Sequence, residues 1–188
     1  MNDLFHTRSA SFDSPIEMMK LCHEKVRRFA RLTQRLGRHM EKSSIDAAAK
    51  EAAESVLRYF TIAAPLHHED EEDDLFPALR NLSIERLGVT EHEVLHRNLQ
   101  ELEAEHVQLT ALWHQIATWL NALLQDIATP PPQCLNTFAI TYTAHADREE
   151  KYIYPYAEAL APVTLNRIGQ RMAKRRTLTQ VKHFKKDQ

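Results

Sequence analysis

A histidine and a glutamate one helical turn apart occur twice in this 188-residue chain, in stretches that are near copies of each other. His67-His68-Glu69-Asp70-Glu71-Glu72-Asp73-Asp74-Leu75-Phe76-Pro77 returns 78 residues later as His145-Ala146-Asp147-Arg148-Glu149-Glu150-Lys151-Tyr152-Ile153-Tyr154-Pro155. Both read H-x-x-x-E-E-x-x-(Leu/Ile)-(aromatic)-Pro. Residues four apart on an α-helix share one side and are separated by roughly 6 Å along its axis. Imidazole plus carboxylate at that spacing is how helices present ligands to a transition metal. The repeat predicts ligation by His67, Glu71, His145 and Glu149.

Three further histidines fall on stripes that helices would turn inward. His23 shares one with Ile16, Met19, Val26 and Ala30, and His92 and His96 share one with Leu99 and Leu102. If each core carboxylate bridges two ions, one ion takes His92, His96 and His145 and the other takes His23 and His67. With an oxygen bridge the ligand counts are six and five, so the second ion keeps an open position, walled by Met19, Val26, Ala63 and Ala64. Nitrogen and oxygen donors with room for more than four ligands favour iron or manganese over structural zinc. Carboxylates left uncompensated in a bundle core would be costly, which weighs against histidines that merely pack. His39, His106 and His114 read as ordinary packed or surface histidines. His68 is out of the repeat's register, and Glu72 and Glu150 turn about 100° away from their neighbours.

Positioning these residues takes four long helices. Ser14-Pro15-Ile16-Glu17 is a capping box opening a helix to about Lys42. Ser43-Ser44 caps a second helix to about Arg80, with a kink expected at Pro65, just before the first motif. A third begins at Gly88 and the box Thr90-Glu91-His92-Glu93 and stops by Thr129-Pro130-Pro131-Pro132. A fourth spans about Gln133 to Leu160. Short connections make consecutive helices antiparallel, so the fold class is all-α, an up-down-up-down four-helix bundle over residues 15–160. Residues 1–14 read as an N-terminal arm and 161–188 as a basic C-terminal helix or tail. Pairing His96 with His145 leaves the third helix several turns too long, so it either breaks between about Glu105 and Trp113 or projects towards a partner.

Composition fits. Three glycines and abundant Ala, Leu, Glu, Gln and Arg favour helix. Two cysteines are too few for a disulfide framework or a thiolate zinc site. The polar start has no signal-like apolar run and no uncharged run would span a bilayer, so the expected location is cytoplasmic, with no membrane partner. Net charge is −2, but residues 162–188 carry eight Lys/Arg against one Asp. That segment is expected to pack Leu165, Ile168 and Met172 onto the bundle or a second chain, as in a homodimer, with Arg171, Arg175 and Arg176 outward. Without interleaved aromatic residues other than Phe184, it is a poor nucleic-acid site.

His23, H-x-x-x-E at 67–71, E-H-x-x-x-H at 91–96 and H-x-x-x-E at 145–149, with Leu-Phe-Pro and Ile-Tyr-Pro following, resemble the hemerythrin-like, HHE cation-binding family over about residues 15–160. The resemblance implies a non-haem di-iron centre. In oxygen-carrying hemerythrins the last carboxylate falls five residues after its histidine; here Glu149 is at four and Glu150 at five, and either could bridge. The chain is also similar to bacterial proteins that repair nitrosatively damaged iron centres, which have no histidine matching His96. The expected function is reversible binding of O2 or NO for carriage, sensing or scavenging, rather than catalysis. The alternative is a di-iron redox enzyme or an iron-donating repair protein.

Overall fold

The computed structural model describes residues 11–184, with side chains as far as Thr179. Residues 1–10 of the expected arm and the side chain of Phe184 lie outside that range. Helix α1 (Pro15–Met40) starts where the Ser14-Pro15 signal puts it, although the Ser14 side chain makes no capping hydrogen bond. The second rod is capped not at Ser43-Ser44 but by Asp46, whose carboxylate accepts from the Ala49 amide at 2.7 Å.

That rod is one bent run. It comprises α2 (Ala47–Arg58), a wide π-helical turn (Tyr59–Ala63), α3 (Ala64–Asp70), a second π turn (Glu71–Leu75) and α4 (Phe76–Arg80). Each wide turn comes directly before a proline-containing helical start, Pro65 and then Pro77. Proline lacks an amide proton and crowds the carbonyl four residues back, so widening the turn relieves both problems without breaking the rod. The bend expected at Pro65 takes this form. In the second copy of the motif, α7 (Leu135–Tyr152) instead ends before Pro155 and passes into a 3-10 turn (Tyr154–Ala159).

A short α5 (Ile84–Leu87) and Gly88, at φ +82°, turn the chain into α6. Helix α6 (Val89–Leu124) is unbroken, and its last turns bury Ile116, Trp119, Leu120 and Leu123 rather than projecting. The four rods pack in a ring, each against the next, with α7 closing on α1. Among the described residues there is no strand. Helix α8 (Pro162–Phe184) lies across α1 and α3 and buries Ile168 and Met172 as their spacing predicts.

Arg175 and Arg176 of α8 turn inward, against expectation, while Arg171 stays exposed as expected. Arg175 reaches Asp70 at 3.0 Å, Asp74 at 2.5 Å and Asp73 at 3.1 Å; Arg176 reaches Asp70 at 2.7 Å and Arg171 reaches Asp74 at 2.7 Å. Asp70 is wholly buried, so inward guanidinium groups are its compensation, and outward arginines would leave it alone in the core.

Two apolar clusters fill the bundle. One contains Val26, Phe60, Ala64, Leu109, Ile116, Phe138 and Tyr142. The other contains Met19, Leu75, Phe76, Leu99, Leu102, Ile153 and Tyr154. Along every rod the change from one cluster to the other brackets a polar residue: His23 between Met19 and Val26, His67 and Glu71 between Ala64 and Leu75, His106 between Leu102 and Leu109, His145 and Glu149 between Tyr142 and Ile153. The rods thus carry a polar layer sealed on both sides.

Candidate metal centre

The polar layer gathers two groups of donor atoms, each within 4.8 Å of one another. His23, His67, Glu71 and Glu149 form one, and His68, His106 and His145 form the other. Glu71 and Glu149 are completely buried and stand between them. Glu149 presents Oε2 to His23 Nε2 at 3.0 Å and Oε1 to His145 Nε2 at 3.1 Å and His106 Nε2 at 3.6 Å. Glu71 presents Oε1 to His67 Nε2 at 3.6 Å and Oε2 to His106 Nε2 at 3.8 Å. One oxygen of each carboxylate faces each group.

Five of the seven residues expected from the sequence, His23, His67, Glu71, His145 and Glu149, come together here. His92 and His96 do not. They lie 14 and 10 residues before His106 on the same straight helix, roughly 21 and 15 Å along its axis. His106, read from the sequence as an ordinary histidine, takes the place opposite His145, which removes the apparent excess length of the third helix. The signal was phase: Leu95, Leu99, Leu102, His106 and Leu109 form one buried stripe, and His96 is one residue off it. Glu149, not Glu150, faces the layer; Glu150 receives a hydrogen bond from His23 Nδ1 at 2.9 Å and pairs with Arg27.

Three histidines share that outer arrangement. His23 Nδ1 donates to Glu150, His106 Nδ1 to Glu72 at 2.6 Å, and His145 Nδ1 to Glu105 at 2.9 Å, with Arg148 behind Glu105. A carboxylate on the outer nitrogen fixes the tautomer, so the inner nitrogen points inward as a lone pair. The consequence is plain at His106 and His145, whose Nε2 atoms face each other at 2.8 Å. Two lone pairs at that distance repel unless a cation or a proton lies between them. Burial disfavours charge on both rings, yet the opposing carboxylates, Glu149 foremost, outweigh it and raise each to about 9.

The carboxylates are pushed apart in the same way. Burial, reinforced by the neighbouring Glu149, holds Glu71 well above the usual carboxylate range. Burial would raise Glu149 too, but the imidazoles that face it, His145 foremost, draw it well below. Glu71 Oε2, both oxygens of Glu149 and His67 Nδ1 are buried without a hydrogen-bond partner among the described residues. Orphaned oxygens between converging imidazoles fit divalent cations, which would satisfy both at once.

Tyr154, from the Ile-Tyr-Pro end of the second motif, donates to Glu71 Oε1 at 2.6 Å and lies 3.1 Å from His23 Nε2. On the other side Tyr142 bonds His68 Nε2 at 2.8 Å, and the His68 ring stacks on His106 at 3.9 Å. A cavity of about 660 Å³ opens there, walled by Phe60, Ala64, Leu109, Trp113 and Tyr142, with His68 and His106 at its polar edge. The expected walls Met19, Val26 and Ala64 are buried against the layer, but the approach from outside is on the His68 side.

An all-α bundle with histidine and glutamate converging from four rods is a metal-binding class of protein. Residues 14–157 match the Hemerythrin HHE cation binding domain, and the chain belongs to that family. It is also similar to an uncharacterized protein of Haemophilus influenzae, 33% identical over 171 residues that cover 89% of this chain and 92% of that one.

Proposed function

We propose that this chain is a non-haem di-iron protein that binds O2 or NO reversibly, with His23 and His67 on one ion, His106 and His145 on the other, and Glu71 and Glu149 shared. The observation that carries this reading is the split of each buried carboxylate, one oxygen towards each histidine group. Iron held by these residues would supply the electrons that bind a diatomic ligand. The chain's own residues do the rest. Glu72, Glu105 and Glu150 hold three imidazoles in the binding tautomer, and the Tyr154 hydroxyl, donating to Glu71 Oε1, holds that carboxylate beside His23. Apolar clusters above and below exclude water, which disfavours release of charged oxygen species. A histidine-rich set with only two carboxylates suits reversible binding better than generation of high-valent iron. Free Cys22 and Cys134 fit a reducing, cytoplasmic setting.

The cavity favours a second reading, an iron-donating or redox role in repair of damaged iron centres. It is larger than a diatomic needs, and His68 stands at its edge as a further imidazole able to accept an ion leaving His106 and His145. Exposing the reduced, iron-loaded protein to O2, NO and azide separates the two. Reversible binding gives a visible charge-transfer band that disappears when the gas is removed. Net consumption of the gas, or transfer of iron to a chelator-free acceptor protein, supports the second reading. A fully loaded protein with no spectral response to any of the three contradicts the first.

A further inference from the structure

We infer that His92 and His96 form a separate transition-metal site, of the zinc class, on the first turns of α6. His92-Glu93-Val94-Leu95-His96 has the H-E-x-x-H form, in which two imidazoles one helical turn apart can hold one ion. The structure places all five residues on regular helix, with the two rings 4.2 Å apart and tilted by 32°. His96 Nε2 is buried without a hydrogen-bond partner among the described residues. A buried imidazole nitrogen is normally satisfied, so this one is poised for a ligand.

Position excludes the polar layer as the explanation. Leu95, Leu99 and Leu102, all buried, fill the intervening turns of α6, and the pair stands roughly 15 and 21 Å from His106 along the helix. Both residues are partly exposed, so the pair lies at the surface of the bundle although His96 Nε2 itself is covered. No third Cys, His, Asp or Glu of the described residues completes the group, and Glu93 is exposed beside it. Coordination is therefore finished by water or an external donor, which leaves positions open. Imidazole donors with open tetrahedral positions suit Zn2+, and Cu2+ shares the preference. The site is independent of which ions occupy the buried layer.

The test uses the full chain with its buried layer loaded with iron. Equilibrium dialysis against Zn2+ is expected to give one further equivalent per chain, with the iron content unchanged. His92→Gln and His96→Gln should each weaken that equivalent by more than the roughly 10–100-fold lost when only an outer partner of a ligand is removed. Cu2+ bound in place of Zn2+ should show nitrogen hyperfine structure in its electron paramagnetic resonance spectrum, lost in the double variant. No extra equivalent, or one that survives both substitutions, overturns the proposal. So does loss of iron in folded His92→Gln or His96→Gln protein, which would return these residues to the buried centre.

Discussion

At the scale of single residues, ligand histidines depend on what holds their outer nitrogen. Glu105 accepts from His145 Nδ1 and is itself held by Arg148, and that contact draws its carboxyl below the ordinary range. Glu105→Gln keeps the shape but weakens the charge that orients the ring. Iron affinity is expected to fall roughly 10–100-fold with the fold retained, measured by competition with a chelator and by circular dichroism. Glu71→Ala goes further: it removes a carboxylate that faces both histidine groups, and metal analysis is expected to show the loss of at least one ion. The sequence made five of the gathered residues legible because they recur in a repeat or, for His23, lie in phase with apolar residues. It misplaced the donors of α6, because His92 and His96 look like a ligand pair while His106 stands alone. Glu105 left no signal, since a carboxylate that reaches across to another helix has the same pattern as one facing water.

Elements decide how firmly those residues are presented. The π turn Glu71–Leu75 begins at a gathered carboxylate, and α8 clamps it through Arg171 and Arg175, with Arg176 on Asp70 just before it. Removing both guanidinium groups from Asp70 in Arg175→Gln/Arg176→Gln strands a buried charge. A cost of roughly 3 kcal/mol is expected, at the low end for a broken buried pair because the arginines are partly exposed. Chemical denaturation checks it, and truncation after residue 161 should be at least as damaging. Asp46 offers a pH test. Its hydrogen bond from Ala49, with His39 beside it, holds the carboxyl below the usual range. A depressed folded value means the stabilisation is complete above the unfolded value of about 3.9 and disappears as pH falls through the lower folded one. Asp46→Ala should therefore melt earlier than the parent at neutral pH, and the difference should narrow in strong acid. Helix number, order and approximate ends were legible from stripes and prolines. The wide turns were not, because proline announces a disturbed ladder without saying whether a helix bends, widens or stops.

For the whole molecule, the arrangement is a polar layer between two apolar clusters, open to a cavity on the His68 side, with α8 and residues 11–14 closing another side. Gly169 allows that closure, since a Cβ there would overlap the backbone carbonyl of Phe12, whose ring also lies under Arg176. Gly169→Ala should cost roughly 1–3 kcal/mol, as overpacking does, and the melting temperature should fall. The packing of Ile168 and Met172 was legible from their spacing, but the contact between Gly169 and Phe12 was not, because contacts between distant segments leave no periodicity. The layer is a different matter: buried carboxylates and facing imidazole nitrogens at 2.8 Å are an arrangement that cations lying among them would satisfy. The most direct test is the iron content per chain of protein loaded anaerobically and freed of excess metal. Two tightly held iron ions per chain are expected. Saturation at one ion, or the absence of bound iron, zinc or manganese under every loading condition, would contradict a centre shared by Glu71 and Glu149.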